Sequence, residues 1–278
     1  MKPLKVLIPT DFSVQSDYAY ILVKRLETKI PVEVHFLHIL EVPDTVTMNS
    51  VGIIQTCGEI DVDYVISQKN IADKKLIALK DQYGDSIQTH LQLGKLTDGV
   101  VNFAQENKFD LIAMGTKGAW GFKEKISGSE AQVIARHSTV PLLSLMCDRS
   151  ELEINNLLLV HDFSNSSSFE LDLLQKILTA FNPTIHLLQI VDERADSSKL
   201  AIQMNDFAIN NGIQHYKTHI LEDRDIEQGV IHFNQMHEID VVCIGTHGKK
   251  GIERLLHPSA TEKLINHLFK PILSFHIN

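Results

Sequence analysis

Gly115, Thr116, Lys117 and Gly118 are followed, after nine residues, by Gly128 and Ser129. Gly115 and Gly118 permit backbone angles closed to other residues and leave no side chain in the path of a ligand. Gly128 and Ser129 open a helical run whose free N–H groups and partial positive charge attract anions. The chemistry this spacing suits is phosphate binding by backbone donors, not bond making. Ser129 adds a hydroxyl, and Ser129-Glu130-Ala131-Gln132 also fits a capping box, so the serine has a structural explanation that the spaced glycines lack. Asp11 follows the first apolar run and precedes a helical one, which places it at the edge where doubly wound folds bind ligands and where aspartate also caps helices.

The pattern returns 130 positions later as Gly245, Thr246, His247 and Gly248, then nine residues, then Pro258 and Ser259. Proline is accepted at the start of a helix, but it lacks an N–H and fixes φ, so the second copy loses one phosphate donor. One hydrogen bond to a charged acceptor is worth about 1.5 to 3 kcal/mol, or roughly tenfold to more than a hundredfold in affinity. His247, Lys249, Lys250 and Arg254 keep the second loop basic, which leaves anion binding open there.

Two further matches turn the chain into a tandem repeat. Asp11-Phe12-Ser13 returns as Asp162-Phe163-Ser164, and Pro141-Leu142-Leu143-Ser144 as Pro271-Ile272-Leu273-Ser274. The first offset is 151 and the later ones are 130, so the second half is shorter by 21 residues, and the deficit falls opposite 41–60. A connection that long is expected to be a lid, a partner surface or disorder.

The elements that must position these residues follow from hydrophobic periodicity. In the first half strands are predicted over 6–9, 32–40, 88–93, 109–115 and 140–145, with helices over 14–28, 61–83, 98–108 and 129–137. In the second half strands fall at 156–160, 184–191, 216–221, 239–245 and 271–275, with helices at 168–181, 199–211, 225–236 and 259–268. Alternation of this kind gives an α/β fold: two tandem Rossmann-like, doubly wound domains over 1–148 and 152–278, each a five-stranded, mainly parallel sheet with helices on both faces.

Several chemistries are excluded by what the pattern lacks. No GxxxxGK[ST] loop, HExxH pair, CxxC pair or GxSxG elbow is present among the 278 residues. His35 and His38 alternate to opposite faces of one strand, so no metal and no catalytic residue is assigned. A net charge of −9 opposes nucleic acid and anionic membrane partners, and no apolar run approaches membrane-spanning length. The amino terminus carries no signal-peptide pattern, and a cytoplasmic location is the expectation. Cys243, inside an apolar run, reads as a small core residue.

The tandem layout, the aspartate after the first strand and the G-x2-G-x9-G-S motif resemble the universal stress protein family, in its two-domain form, over essentially the whole chain. The resemblance implies that Asp11 contacts a nucleoside, that the backbone around Ile39, in His38-Ile39-Leu40, holds adenine, and that Gly115, Gly118, Gly128 and Ser129 hold phosphates. It implies a weaker second site at Asp162, Ile190, Gly245, Gly248 and Ser259. It also implies that the last strands of the two halves meet as a pseudo-twofold pair, with a homodimer allowed in addition. The function expected is a non-catalytic, adenine-nucleotide-binding stress-response protein that takes ATP, with or without Mg, mainly in the first domain, and acts on an unknown protein partner. A slow ATPase or phosphoryl-transfer enzyme is one alternative. The other is an interaction scaffold with vestigial sites, built on Trp120, Phe122 and the 41–60 connection.

Overall fold

β1 (Leu4–Pro9) carries apolar side chains buried on both faces, as a central parallel strand requires. A computed structural model of the chain describes residues 2–49, 52–57, 60–116, 130–161, 163, 172–191, 196–247, 264–265 and 267–277. After β1 the first half runs α1 (Val14–Glu27), β2 (Val32–Glu41), a hairpin of β3 (Val46–Met48) and β4 (Ile54–Thr56), α2 (Val62–Tyr83), β5 (Gln88–Gly94), α3 (Leu96–Glu106), β6 (Leu111–Gly115), α4 (Glu130–His137) and β7 (Leu142–Leu145). The second half runs β8 (Asn156–Val160), α5 (Asp172–Phe181), β9 (Thr184–Val191), α6 (Ser197–Asn210), β10 (Tyr216–Glu222), α7 (Ile226–Met236), β11 (Val241–His247) and β12 (Ile272–Ile277). Residues 264–265 and 267, inside the helix expected over 259–268, are helical.

Ten of the strands form one sheet in the order β10-β9-β8-β11-β12-β7-β6-β1-β2-β5, and β3 and β4 pair antiparallel with each other. Within this sheet every pairing inside a half is parallel, and the strand order reverses direction at β1 and again at β8, as in a doubly wound sheet. The halves join through β7 and β12, which pair antiparallel as Ile272↔Ser144, Leu273↔Leu143 and Ser274↔Leu142. Leu143 and Leu273 are repeat equivalents, so a pseudo-twofold axis passes between them and the contact is isologous. The buried serines obey the same symmetry. Ser144 Oγ donates to the Ile272 carbonyl at 3.5 Å, and Ser274 Oγ to that of Leu142 at 3.4 Å. Apolar clusters on the two faces of the sheet each draw on both halves, so the seam is continuous with the core.

Two departures from the sequence reading have a visible cause. The connection over 41–60 contains an ordered hairpin, in which Asn49 Oδ1 accepts from Ile53 N at 2.9 Å and Gly52 turns the chain at φ +82°. Its strands are three residues each, too short to show a period. β6 starts at Leu111 and not at 109, because Lys108 takes a left-handed φ of +52° and Phe109 N donates back to Ala104 O, closing α3. Asp110 then accepts from Lys5 N at 2.8 Å and fastens β6 to β1. Asp240 does the same between β11 and β8 through the amides of Asn155 and Asn156.

Candidate functional site

β1 stops before β2 does, and that difference in length opens the site. The β1–β2 ladder ends with Pro9 opposite Leu37, after which Thr10 N donates to Leu37 O at 2.9 Å. The next rung of a parallel ladder would join Ile39 N–H to the carbonyl of Thr10. That carbonyl instead accepts from His38 Nδ1 at 2.8 Å. Backbone groups of alternate residues in a strand point to the same side, so Ile39 N–H and C=O face the space beyond the end of β1, where the sheet supplies no neighbouring strand. One donor and one acceptor side by side match the edge of a nucleobase.

The Ile39 side chain turns the other way. It is buried, and a Cβ on Gly99 of α3 would come within 2.9 Å of its Cδ1. Ile190 and Gly229 repeat this packing in the second half, at 2.6 Å. The part of Ile39 available to a ligand is therefore its backbone. The two glycines went unnoticed in the sequence, although their separation equals the 130-residue offset of the loop motif.

At the other wall, the crossover from β1 to α1 is held by a directed chain of hydrogen bonds. Phe12 N–H donates to Thr10 Oγ1 at 2.9 Å, Thr10 Oγ1 to Ser16 Oγ at 3.0 Å, and Ser16 Oγ to the Ser13 carbonyl at 2.7 Å. Phe12 sits at φ +64°, a region costly for a side chain of its size, and such strain collects at functional turns. Its ring lies 4.5 Å from that of His38, and Lys75 Nζ is 5.0 Å from it. Asp11 is exposed beside this turn, its Oδ1 accepting from Ser13 N at 3.0 Å. The N-cap of α1 is Ser13, so Asp11 shapes the turn before the helix and is not its cap residue.

Gly115 closes the floor. A Cβ there would overlap the backbone carbonyl of Gln15, so β6 can pass beside the first turn of α1 only with glycine. Thr116 continues the strand, its N–H donating to Leu145 O at 2.8 Å. The structure thus gathers Asp11, Ile39 and Gly115 at the carboxyl ends of β1, β2 and β6, and adds Thr10, Phe12 and His38. Gly118, Gly128 and Ser129 lie outside the described residues, as do Trp120 and Phe122.

The second half holds the equivalent left-handed residue with a different partner. Phe163 has φ +51°, and its N–H donates at 2.8 Å to His161 Nδ1, which replaces the threonine hydroxyl. β8 ends at Val160 opposite Leu188, while β9 continues to Val191, so Ile190 lies on a similar overhang. Gln189 stands in the place of His38. It is buried, with no hydrogen-bond partner for its Oε1 among the described residues. Gly245 pairs with Phe275 as Gly115 pairs with Leu145. Asp162, Gly248 and Ser259, and Pro258 with them, lie outside the described residues. Among the described residues no group of three metal-ligating side chains is placed to hold an ion, and no helix is long and apolar enough to cross a membrane.

Comparison with known proteins bears on both halves. The Universal stress protein family model matches residues 4–145 and again 153–276. Universal stress protein MJ0531 of Methanocaldococcus jannaschii is 26% identical over 147 residues, covering 53% of this chain and 84% of that protein. Universal stress protein MJ0577 of the same organism is 24% identical over 149 residues, covering 50% and 92%. Among solved structures, a universal stress protein from Archaeoglobus fulgidus superposes with a TM-score of 0.72 over 99% of both chains at 15% identity, a likeness of fold.

Proposed function

The chain belongs to the universal stress protein family, and from that premise we propose that it is a stress-response protein that binds an adenine nucleotide, ATP with or without Mg, chiefly in its first half. The observation that carries this reading is the overhang of β2, where the paired donor and acceptor of Ile39 face the side on which, among the described residues, β1 supplies no further rung, near Asp11 and the Gly115 floor. Adenine would lie against that backbone edge, Asp11 would take the ribose hydroxyls, and Gly115, Gly118, Gly128 and Ser129 would lead the phosphates to the start of α4.

The binding is proposed to be non-catalytic. The hydroxyls of Thr10 and Ser16 each donate within the turn, so they serve as a brace and not as a nucleophile with its base. In the second half Pro258 removes an amide donor from the phosphate path, and His161 and Gln189 alter the wall, so weaker binding is expected there.

The test is calorimetric titration of nucleotide-stripped protein with Mg-ATP, beside Gly118→Val and Gly248→Val. One site abolished by Gly118→Val alone is the expected result. No heat with any adenine nucleotide would overturn the reading. ATP turnover that vanishes on changing Asp11 would replace it with the enzyme.

A further inference from the structure

Each half carries a pair of histidines with nearly parallel rings that binding does not use. In the first, His35 of β2 and His90 of the edge strand β5 lie with ring planes 6° apart and centroids 5.1 Å apart, His35 Nδ1 meeting His90 Nε2 at 2.8 Å. In the second, the rings of His186 of β9 and His219 of the edge strand β10 lie with planes 3° apart and centroids 5.1 Å apart. Both pairs sit on the α3 or α7 face, walled by Phe103 and Phe109 in one case and by Phe233 in the other. Each joins the outermost strand of the ten-stranded sheet to its neighbour.

We propose that these pairs are acid-opened clasps on the two ends of the sheet, and that the second, which has no carboxylate bonded to it among the described residues, opens first. The difference lies in where an added proton can go. In the first half His35 Nε2 is 2.8 Å from Glu33 Oε1, an oxygen that also accepts from Gln88 Nε2 at 3.0 Å. A protonated His35 would donate to Glu33 on one side and to the lone pair of His90 on the other, so one charge is accommodated without breaking the pair. In the second half Thr184 occupies the position of Glu33. His186 Nε2 meets only the neutral Asn156 amide at 3.4 Å, and His186 Nδ1 and His219 Nε2 are buried with no hydrogen-bond partner among the described residues.

The charged surroundings point the same way. Lys5 from β1 and Lys80 from α2 act on the first pair, with Glu33 opposing them. Lys217 on β10 and His237 at the end of α7 act on the second, His237 lying 5.8 Å and 5.3 Å from the two rings. Asp240, beyond α7, is engaged with the amides of Asn155 and Asn156. Burial pushes His35 and His186 below the ordinary histidine range; Glu33 offsets part of this for His35, and nothing offsets it for His186. Burial takes His90 and His219 down to about 4. Folded values below the unfolded one mean that the clasps' contribution is complete above about pH 6.5 and is lost as pH falls from there toward 4.

The test is hydrogen exchange of the full chain at pH 7 and pH 5, corrected for the intrinsic pH dependence of amide exchange, in peptides covering β10 and β5. Opening of β10 should rise about tenfold or more, and that of β5 less. Thr184→Glu should bring β10 down to the β5 response, and Glu33→Gln should raise β5 toward that of β10. If Thr184→Glu does not fold, His219→Phe should remove the acid response of β10. A change in β10 opening of less than about twofold, or an acid response that survives His219→Phe, would overturn the proposal.

Discussion

Three residues after β1 and three residues after β8 the chain takes the same left-handed angle, held by different chemistry. Phe12 and Phe163 both take left-handed angles, yet one amide is held by a threonine hydroxyl and the other by an imidazole nitrogen. The lesson is that the sheet dictates the turn and leaves the side chains free to vary. The first half keeps His38, Glu33, Gly128 and the hairpin; the second has Gln189, Thr184, Pro258 and a short connection.

The most severe way to break the comparison is Gly115→Val, since a side chain there meets backbone that cannot move aside. A loss of about 3 kcal/mol or more is expected, measured by urea unfolding. Next comes the seam: Leu143→Ala and Leu273→Ala should each cost about 2 to 5 kcal/mol, with nearly equal values, and the double variant should fall short of their sum because the residues face each other. Unequal single costs would show that the symmetry does not extend to energies. Pro258→Gly should narrow the functional contrast by raising ATP affinity at the second site about tenfold to a hundredfold, counted by calorimetry. The smallest effects are expected from Thr10→Val, at about 1 to 2 kcal/mol for the two hydrogen bonds its hydroxyl makes, and from Gly99→Ala and Gly229→Ala. Of the last two, Gly229→Ala should be the more costly, because its added methyl comes closer to isoleucine, and thermal unfolding would rank them.

Much of this was legible in the sequence because the repeat states it twice. Strands buried on both faces gave apolar runs, and Asp11 and Gly115 fell at crossovers where such runs end. The β2 overhang was not legible from residue types, since it depends on where β1 stops relative to β2, a matter of register. The histidine pairs were hidden for a related reason: His35 and His90 are 55 positions apart and meet only after α2 has carried the chain across to β5. The separation of His35 from His38 to opposite faces held, with His35 against Phe109 and His38 against Phe12.

The seam has a consequence for how such a chain can change. A self-complementary contact inside one polypeptide is what remains when two identical subunits are tethered, and the tether supplies an effective concentration on the order of millimolar. In a dimer of identical subunits, a glycine-to-proline exchange in the loop would damage both sites together. Here it falls on one site alone, so Pro258 can be carried while Gly128 is retained. Covalent linkage of Leu143 to Leu273 through the chain therefore turns a symmetric object into one whose two sites are free to specialise.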